Sequence, residues 1–301
     1  MHLVNNSAKS KTTVIATTAH DVRVSVKRWR KSGKKIAFVP TMGNLHEGHL
    51  ALVKAAFEVA DHVIVSIFVN PTQFGENEDF GTYPRTFDED KAKLARLGVD
   101  MIFAPTTGEI YPDSEKATCR ITVTELSDIL EGEFRPGFFT GVATVVNKLF
   151  NIVSPDIAIF GEKDYQQLLV IRKMVADLML SVEILPVATV RETDGLAMSS
   201  RNGYLQDRER QRASNLYGVL QNLVNAVQAG IPIKEAESLA IRQLQEKSFT
   251  VDYVSVRQRH NLMPAVFGNT QLIVLAAVRI GETRLIDNIQ FQQPNETFQG
   301  T

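Results

Sequence analysis

Two histidines three residues apart, His46 and His49, stand in the segment VPTMGNLHEGHLALV, between an apolar run and a helical pattern. That spacing puts both imidazoles on one face of a first helical turn. Aimed at one point, they can hydrogen-bond a phosphate whose negative charge grows while its phosphorus is attacked. Gly43 and Gly48 permit close backbone approach, and the amides of a helix N-terminus attract phosphate. An isolated H-x-G-H is as often two surface histidines beside a helix start; the preceding apolar run and the Pro-Thr-Met-Gly turn favour the phosphate reading.

Three more polar segments carry candidate chemistry. In RETDGLAMSSRNGYL (191–205), Ser199 and Ser200 offer hydroxyls and Arg201 a rigid fork of donors between Gly195 and Gly203, a set suited to the β and γ phosphates of a nucleotide. Such a loop without context is usually a solvated turn. In FGEKDYQQL (160–168), Lys163 supplies a compact charge, Asp164 an acceptor for a ribose hydroxyl, and Gln166 and Gln167 amide donors and acceptors. The competing reading is a polar helix start capped by Asp164, but the position after a strand favours ligand binding. In SIFVNPTQFGENEDFGTYPRTFDED (66–90), Asn70 and Gln73 are expected to face a cleft, with Pro71 fixing the loop. Asp88, Glu89 and Asp90 read as an acidic first helical turn that complements the helix dipole, not as metal ligands.

The elements that must position these groups follow from hydrophobic periodicity. Strands are expected over 34–40, 61–69, 99–105 and 156–161, and helices over 48–60, 86–98, 141–153 and 165–179. In the first helix Leu52, Ala55, Ala56 and Val59 recur at helical spacing. The strands are apolar almost throughout, which marks a sheet covered on both faces. Strand and helix in alternation predict an α/β, doubly wound parallel sheet of Rossmann-like type, with ligands at the carboxyl ends of its strands. After Pro186 the pattern becomes helical over 207–230 and 234–247, then strand-like over 252–256 and 272–280. Residues 1–187 are therefore expected to form the sheet domain and 188–301 a smaller C-terminal α+β domain. The stretches 1–13 and 292–301 are expected to be a loose extension and a frayed tail.

Composition narrows the function class. The 301 residues carry 33 Lys and Arg against 34 Asp and Glu, a net charge of −1, which argues against a nucleic-acid backbone as partner. The one cysteine, Cys119, allows neither an intramolecular disulfide nor a multi-cysteine zinc site, as expected for a reducing compartment. No apolar run approaches the roughly 20 residues that span a bilayer.

Taken in order, PTMGNLHEGH, FVNPTQF, YPRT, RPGFFTGV, FGEKDYQQL and DGLAMSSRNGYL resemble the pantoate–β-alanine ligase family across about residues 36–206. The H-x-G-H turn with the Met-Ser-Ser-Arg loop is also similar, more broadly, to class I aminoacyl-tRNA synthetases and nucleotidylyltransferases. The resemblance implies ATP-dependent condensation of pantoate with β-alanine through pantoyl adenylate, releasing pyrophosphate and then AMP. It implies an ATP site made by Met42, Gly43, Asn44, Leu45, His46, Glu47, Gly48 and His49, with His49 as proton donor. Gly161, Glu162, Lys163, Asp164, Val190, Met198, Ser199, Ser200 and Arg201 would complete it, and Gln73 and Gln167 would hold pantoate, Gln73 also lying near β-alanine. Magnesium held largely by the phosphates, a homodimer and a cytoplasmic location are implied as well. A nucleotidylyltransferase acting on another small substrate and a non-catalytic, synthetase-like binding protein are the alternatives. One departure stands out: Phe138 occupies the place of a histidine that many members carry in the RPGFF motif, and it is expected to pack as an apolar wall.

Overall fold

The computed structural model describes residues 12–75, 78–114, 119–266 and 268–293. Strands β1 (Val14–Ala16), β2 (Ile36–Thr41), β3 (His62–Ile67), β4 (Met101–Phe103), β5 (Ile157–Gly161) and β6 (Glu183–Val187) form one sheet, in the spatial order β1-β4-β3-β2-β5-β6. Every pairing in it is parallel. The two-residue period of a strand explains why its sequence is apolar without alternation. Ile36 and Phe38 enter the core on one face and Ala37 and Val39 that on the other, all four fully buried. Helices α1 (Ala19–Lys31) and α2 (Glu47–Val59) follow the first two strands, and α3 (Phe87–Leu97) precedes β4. After the single turns α4 (Thr107–Ile110) and α5 (Glu131–Phe134) come α6 (Phe138–Val153) and α7 (Tyr165–Asp177). Residues of α1, α6 and α7 share one core cluster, and those of α2 and α3 the other.

The strand order fixes where ligands can sit. From β2 the chain winds outward through β3 and β4, whereas β5 and β6 lie on the other side of β2. Adjacent crossovers therefore diverge between β2 and β5, which opens a crevice at their carboxyl ends. The H-x-G-H turn leaves β2 and the Gly-Glu-Lys-Asp segment leaves β5, one on each side of that crevice.

Helices α8 (Asp207–Ala213), α9 (Asn215–Gln228) and α10 (Ile233–Glu246) precede an antiparallel sheet of β7 (Thr250–Gln258), β8 (Gln271–Ile280) and β9 (Thr283–Gln292). Leu272, Val274 and Ala276 pack with α9 and α10, while Ile273 and Leu275 on the opposite face join the core of the large sheet. The small sheet is thus covered on both sides.

Periodicity misplaces several elements. α1, β1, β6 and β9 are additional; α1 buries Val22, Val26 and Trp29 behind a Thr18 cap. The buried stripe of α2 is Leu50, Val53 and Ala56, with Leu52, Ala55 and Val59 at its margin. The helix expected over 207–230 is broken at Ser214, where the Ser214 and Asn215 side chains bond back to the Gln211 and Arg212 carbonyls. Gln292 ends β9 rather than opening a frayed tail; residues 1–11 and 294–301, where the loose ends were expected, lie outside the described residues.

Candidate active site

His46 is the N-cap of α2, and each histidine satisfies a backbone amide of the first turn. Gly48 N–H donates to His46 Nδ1 at 3.1 Å, and His46 N–H donates to His49 Nδ1 at 3.3 Å. A neutral imidazole that accepts at Nδ1 carries its proton on Nε2, so both rings are assigned as Nε2–H donors. Burial, with lesser contributions from Lys163 and Lys93, lowers His46 from 6.5 to about 4. Burial, then His46 and Lys163, lowers His49 to about 3. Both rings are neutral at physiological pH, with ring centroids 4.1 Å apart. They line a cavity of about 480 Å³ at the crevice of the large sheet, a size suited to a small-molecule ligand.

The two glycines of the motif make room for side chains rather than for a ligand's backbone approach. A Cβ on Gly48 would lie 2.8 Å from His46 Cε1, so the cap ring occupies that space. Gly43 has φ +84°, and a Cβ there would come within 3.1 Å of Asp90 Oδ2. Asp90 itself departs from the dipole role expected of it: fully buried, it accepts from Asn44 N–H and Leu45 N–H, each at 2.8 Å.

Of the segment 42–49, Met42, His46, Gly48 and His49 line the cavity, whereas Leu45 and Glu47 line an adjoining groove with Lys54, Lys93 and Arg96, which shares His46, Met198 and Ser199 with the cavity. Gly43 and Asn44 form the turn behind it. Val190, Met198, Ser199, Ser200 and Arg201 line the cavity from the loop after β6. The three polar side chains among them are already engaged. Ser199 Oγ accepts from Arg201 N–H at 3.2 Å, and Ser200 Oγ donates to Asn44 O at 3.1 Å, joining this loop to the H-x-G-H turn. The Arg201 guanidinium pairs with Asp79 through two bonds of 3.2 and 2.9 Å. Burial alone would raise the Asp79 carboxyl; Arg201 overcomes it and holds Asp79 below its ordinary value.

Gly161, Lys163, Asp164 and Gln167 line the cavity after β5, and Lys163 Nζ lies 3.7 Å from Asp164 Oδ1. Asn288 of β9 donates to both the Glu162 and Lys163 carbonyls at 2.9 Å, so the small sheet holds this turn. Gln166, expected to serve a ligand, is instead spent on the chain: its Nε2 donates to Leu126 O and Ile129 O, and its Oε1 accepts from Glu131 N–H. Gln73 meets the cavity from the opposite side. Asn70 Nδ2 donates to Gln73 Oε1 at 3.1 Å while Gln73 Nε2 donates to Met42 Sδ at 2.9 Å, which fixes the amide's orientation. Phe138 lines the cavity as expected, but it also carries the Arg135 guanidinium 3.6 Å from its ring centroid. Arg135 in turn grips Glu78 with two bonds of 2.6 Å.

A family model described as Pantoate-beta-alanine ligase matches residues 14–290. The chain belongs to the pantoate–β-alanine ligase family. Pantothenate synthetase of Shewanella halifaxensis is 52% identical over 268 residues, covering 89% of this chain and 95% of that relative. That of Pseudomonas putida is 50% identical over 283 residues, 93% of this chain and 98% of the relative. Among solved structures, a pantothenate synthetase from Thermus thermophilus matches with a TM-score of 0.86 at 43% identity, covering 92% of this chain and 99% of that one. The pantoate–β-alanine ligase from Francisella tularensis, complexed with beta-gamma ATP and beta-alanine, matches with a TM-score of 0.78 at 36% identity, over 92% and 97%. Against this ligase background, sequence reasoning passed over Asp79, Glu78, Lys93, Arg135 and Asn288, and gave Asp90 only a dipole role. All but Asn288 stand in or beside the quoted motifs, but nothing in a motif says which carboxylate a folded chain will turn inward.

Proposed function

We propose that this ligase joins pantoate to β-alanine in two steps at the crevice between β2 and β5. A pantoate carboxylate oxygen attacks the α-phosphorus of ATP; the bond to the bridging oxygen breaks, and pyrophosphate leaves with that electron pair. The β-alanine amine then attacks the acyl carbon of pantoyl adenylate and AMP leaves. The observation that carries this reading is the neutral His46 and His49 pair, each with an Nε2–H donor, at the cavity that Gln73, Gln167, Lys163 and the Ser199–Arg201 loop also line. Such donors stabilise the charge that grows on the α-phosphate without first losing a proton. With His49 lowered to about 3, the proton-donor part implied for it becomes hydrogen-bond donation in the ligand-free site. The ligand pair named for the Francisella tularensis structure supports the same substrates here.

Lys163 and the Gly161–Asp164 turn would meet the nucleotide, and Arg201 would turn from Asp79 to the triphosphate. Gln73 and Gln167 would hold pantoate. Among the described residues no group of three or more His, Cys, Asp or Glu side chains is placed to hold a metal ion, so magnesium would come held largely by the phosphates of ATP. A boundary near residue 187, a homodimer and a cytoplasmic location belong to the same proposal; no described helix is long and apolar enough to cross a membrane.

The test is pantoate-dependent exchange of labelled pyrophosphate into ATP, followed by AMP release on addition of β-alanine. Nucleotide transfer with no requirement for the amine would favour a nucleotidylyltransferase instead.

A further inference from the structure

Asn44 and Leu45, the two residues before the N-cap, have all four backbone polar groups bound by side chains from elsewhere. Both N–H groups donate to Asp90 of α3, one to each carboxylate oxygen, at 2.8 Å. The Leu45 carbonyl accepts from Lys93 Nζ at 2.7 Å, and the Asn44 carbonyl from Ser200 Oγ at 3.1 Å. A turn of this length commonly bonds to itself or to water. This one has two successive residues of positive φ, Gly43 at +84° and Asn44 at +51°, types that reach the left-handed region most readily and that leave their amides and carbonyls facing outward for such partners.

We infer that Asp90 and Lys93 are positioning residues for the adenylation step: they fix the Asn44–Leu45 backbone and, through it, the aim of His46 and His49. Neither lines the cavity: Asp90 is fully buried behind the turn, and Lys93 lies on the adjoining groove with its ammonium on the Leu45 carbonyl. The path is short and continuous. Leu45 is bonded to His46, whose N–H donates to His49 Nδ1, so a shift of the dipeptide moves both rings together. The chemistry also explains the residue types. A carboxyl group presents one oxygen to each of the two adjacent amides, which a carboxamide with its single oxygen does not; Thr86 Oγ1 adds a third donor at 3.1 Å. Gly43 belongs to the same device, because a Cβ there would press on Asp90 Oδ2. The inference rests on the adenylation reading for its consequence, but the brace itself does not.

The experiment compares the wild-type protein with Asp90→Asn and Lys93→Met. Exchange of pyrophosphate is followed with ATP and pantoate varied in turn, beside imidazole nitrogen NMR of His46 and His49. In Asp90→Asn an amide NH2 faces one backbone N–H; exchange should fall by about tenfold or more, as expected for a small misplacement of donors. The pantoate KM should stay within about twofold, which a general loss of structure would not allow. Lys93→Met, which retains both amide contacts, should lower exchange by about threefold. The ring signals of both histidines should move in both variants. Folded variants with wild-type exchange and unmoved ring signals would overturn the inference, and if Asp90→Asn does not fold, Lys93→Met alone decides it. A wild-type protein without any exchange would instead sink the adenylation reading, leaving the imidazole spectra to judge the brace.

Discussion

Replacing His46 by Gln should flatten the pH dependence of stability, by an amount that follows from its burial beside Lys163. The folded protein keeps the His46 ring neutral down to about pH 4, whereas the unfolded chain protonates it near 6.5. Between those values the unfolded state binds more protons, so the stability due to this group is complete above 6.5 and is lost as pH falls towards 4. At ~1.4 kcal/mol per pH unit, the His46 share lost between about pH 7.5 and pH 5 is ~2 kcal/mol. Gln keeps an acceptor within reach of the Gly48 amide and does not titrate. Urea unfolding of the two proteins across that range should therefore show a stability difference that shrinks by ~2 kcal/mol towards acid. Because His46 contributes to the depression of His49, the variant's His49 should also titrate higher than about 3. Nitrogen NMR of the imidazoles reads both values and the tautomer directly. Parallel pH profiles for the two proteins, or a His46 ring titrating near 6.5 with its proton on Nδ1, would refute the reasoning.

Other substitutions probe separate parts of the site. His49→Ala should lower pyrophosphate exchange by roughly 10²-fold with little change in the melting temperature, since it removes a donor to the transition state. Asp79→Asn should lower the KM for ATP, because in the empty site the Asp79 carboxylate competes with phosphate for Arg201; an unchanged or higher KM would show that the pair does not break on binding. Gly141→Ala should raise the KM for pantoate more than that for ATP. Its Cβ would come 2.1 Å from Thr72 O, displacing the short turn Pro71–Gln73 that carries Gln73, and steady-state kinetics with each substrate varied separates the two effects.

Much of the site could be read from the chain before it was folded. The order of six short motifs carried the family, and continuous apolar runs such as 61–69 carried the parallel sheet, because a strand covered on both faces has no polar side to show. The two histidines were legible because three residues along a helix bring side chains to one face regardless of what surrounds it. By contrast, Gln166 and Gln167 are indistinguishable in sequence; both line the cavity, and only packing ties the amide of the first to the loop at 126–131.

The carboxylates show the same division more sharply. Asp88, Glu89 and Asp90 form one acidic turn by composition, yet Asp90 is the one fully buried on the back of the H-x-G-H turn, 46 residues away from Asn44 in the chain. Glu78 and Asp79 are likewise neighbours that grip different arginines, Arg135 and Arg201. Local patterns determine which residues can share a helix face or a strand, since those depend on backbone period alone. Partners distant in the chain are chosen by the tertiary arrangement, which brings α3 and the loop after β6 against the turn that leaves β2, and β9 against the turn that leaves β5. The sequence by itself thus determined the chemistry available to this protein; the fold decided which groups stay free for substrate and which hold the others in place.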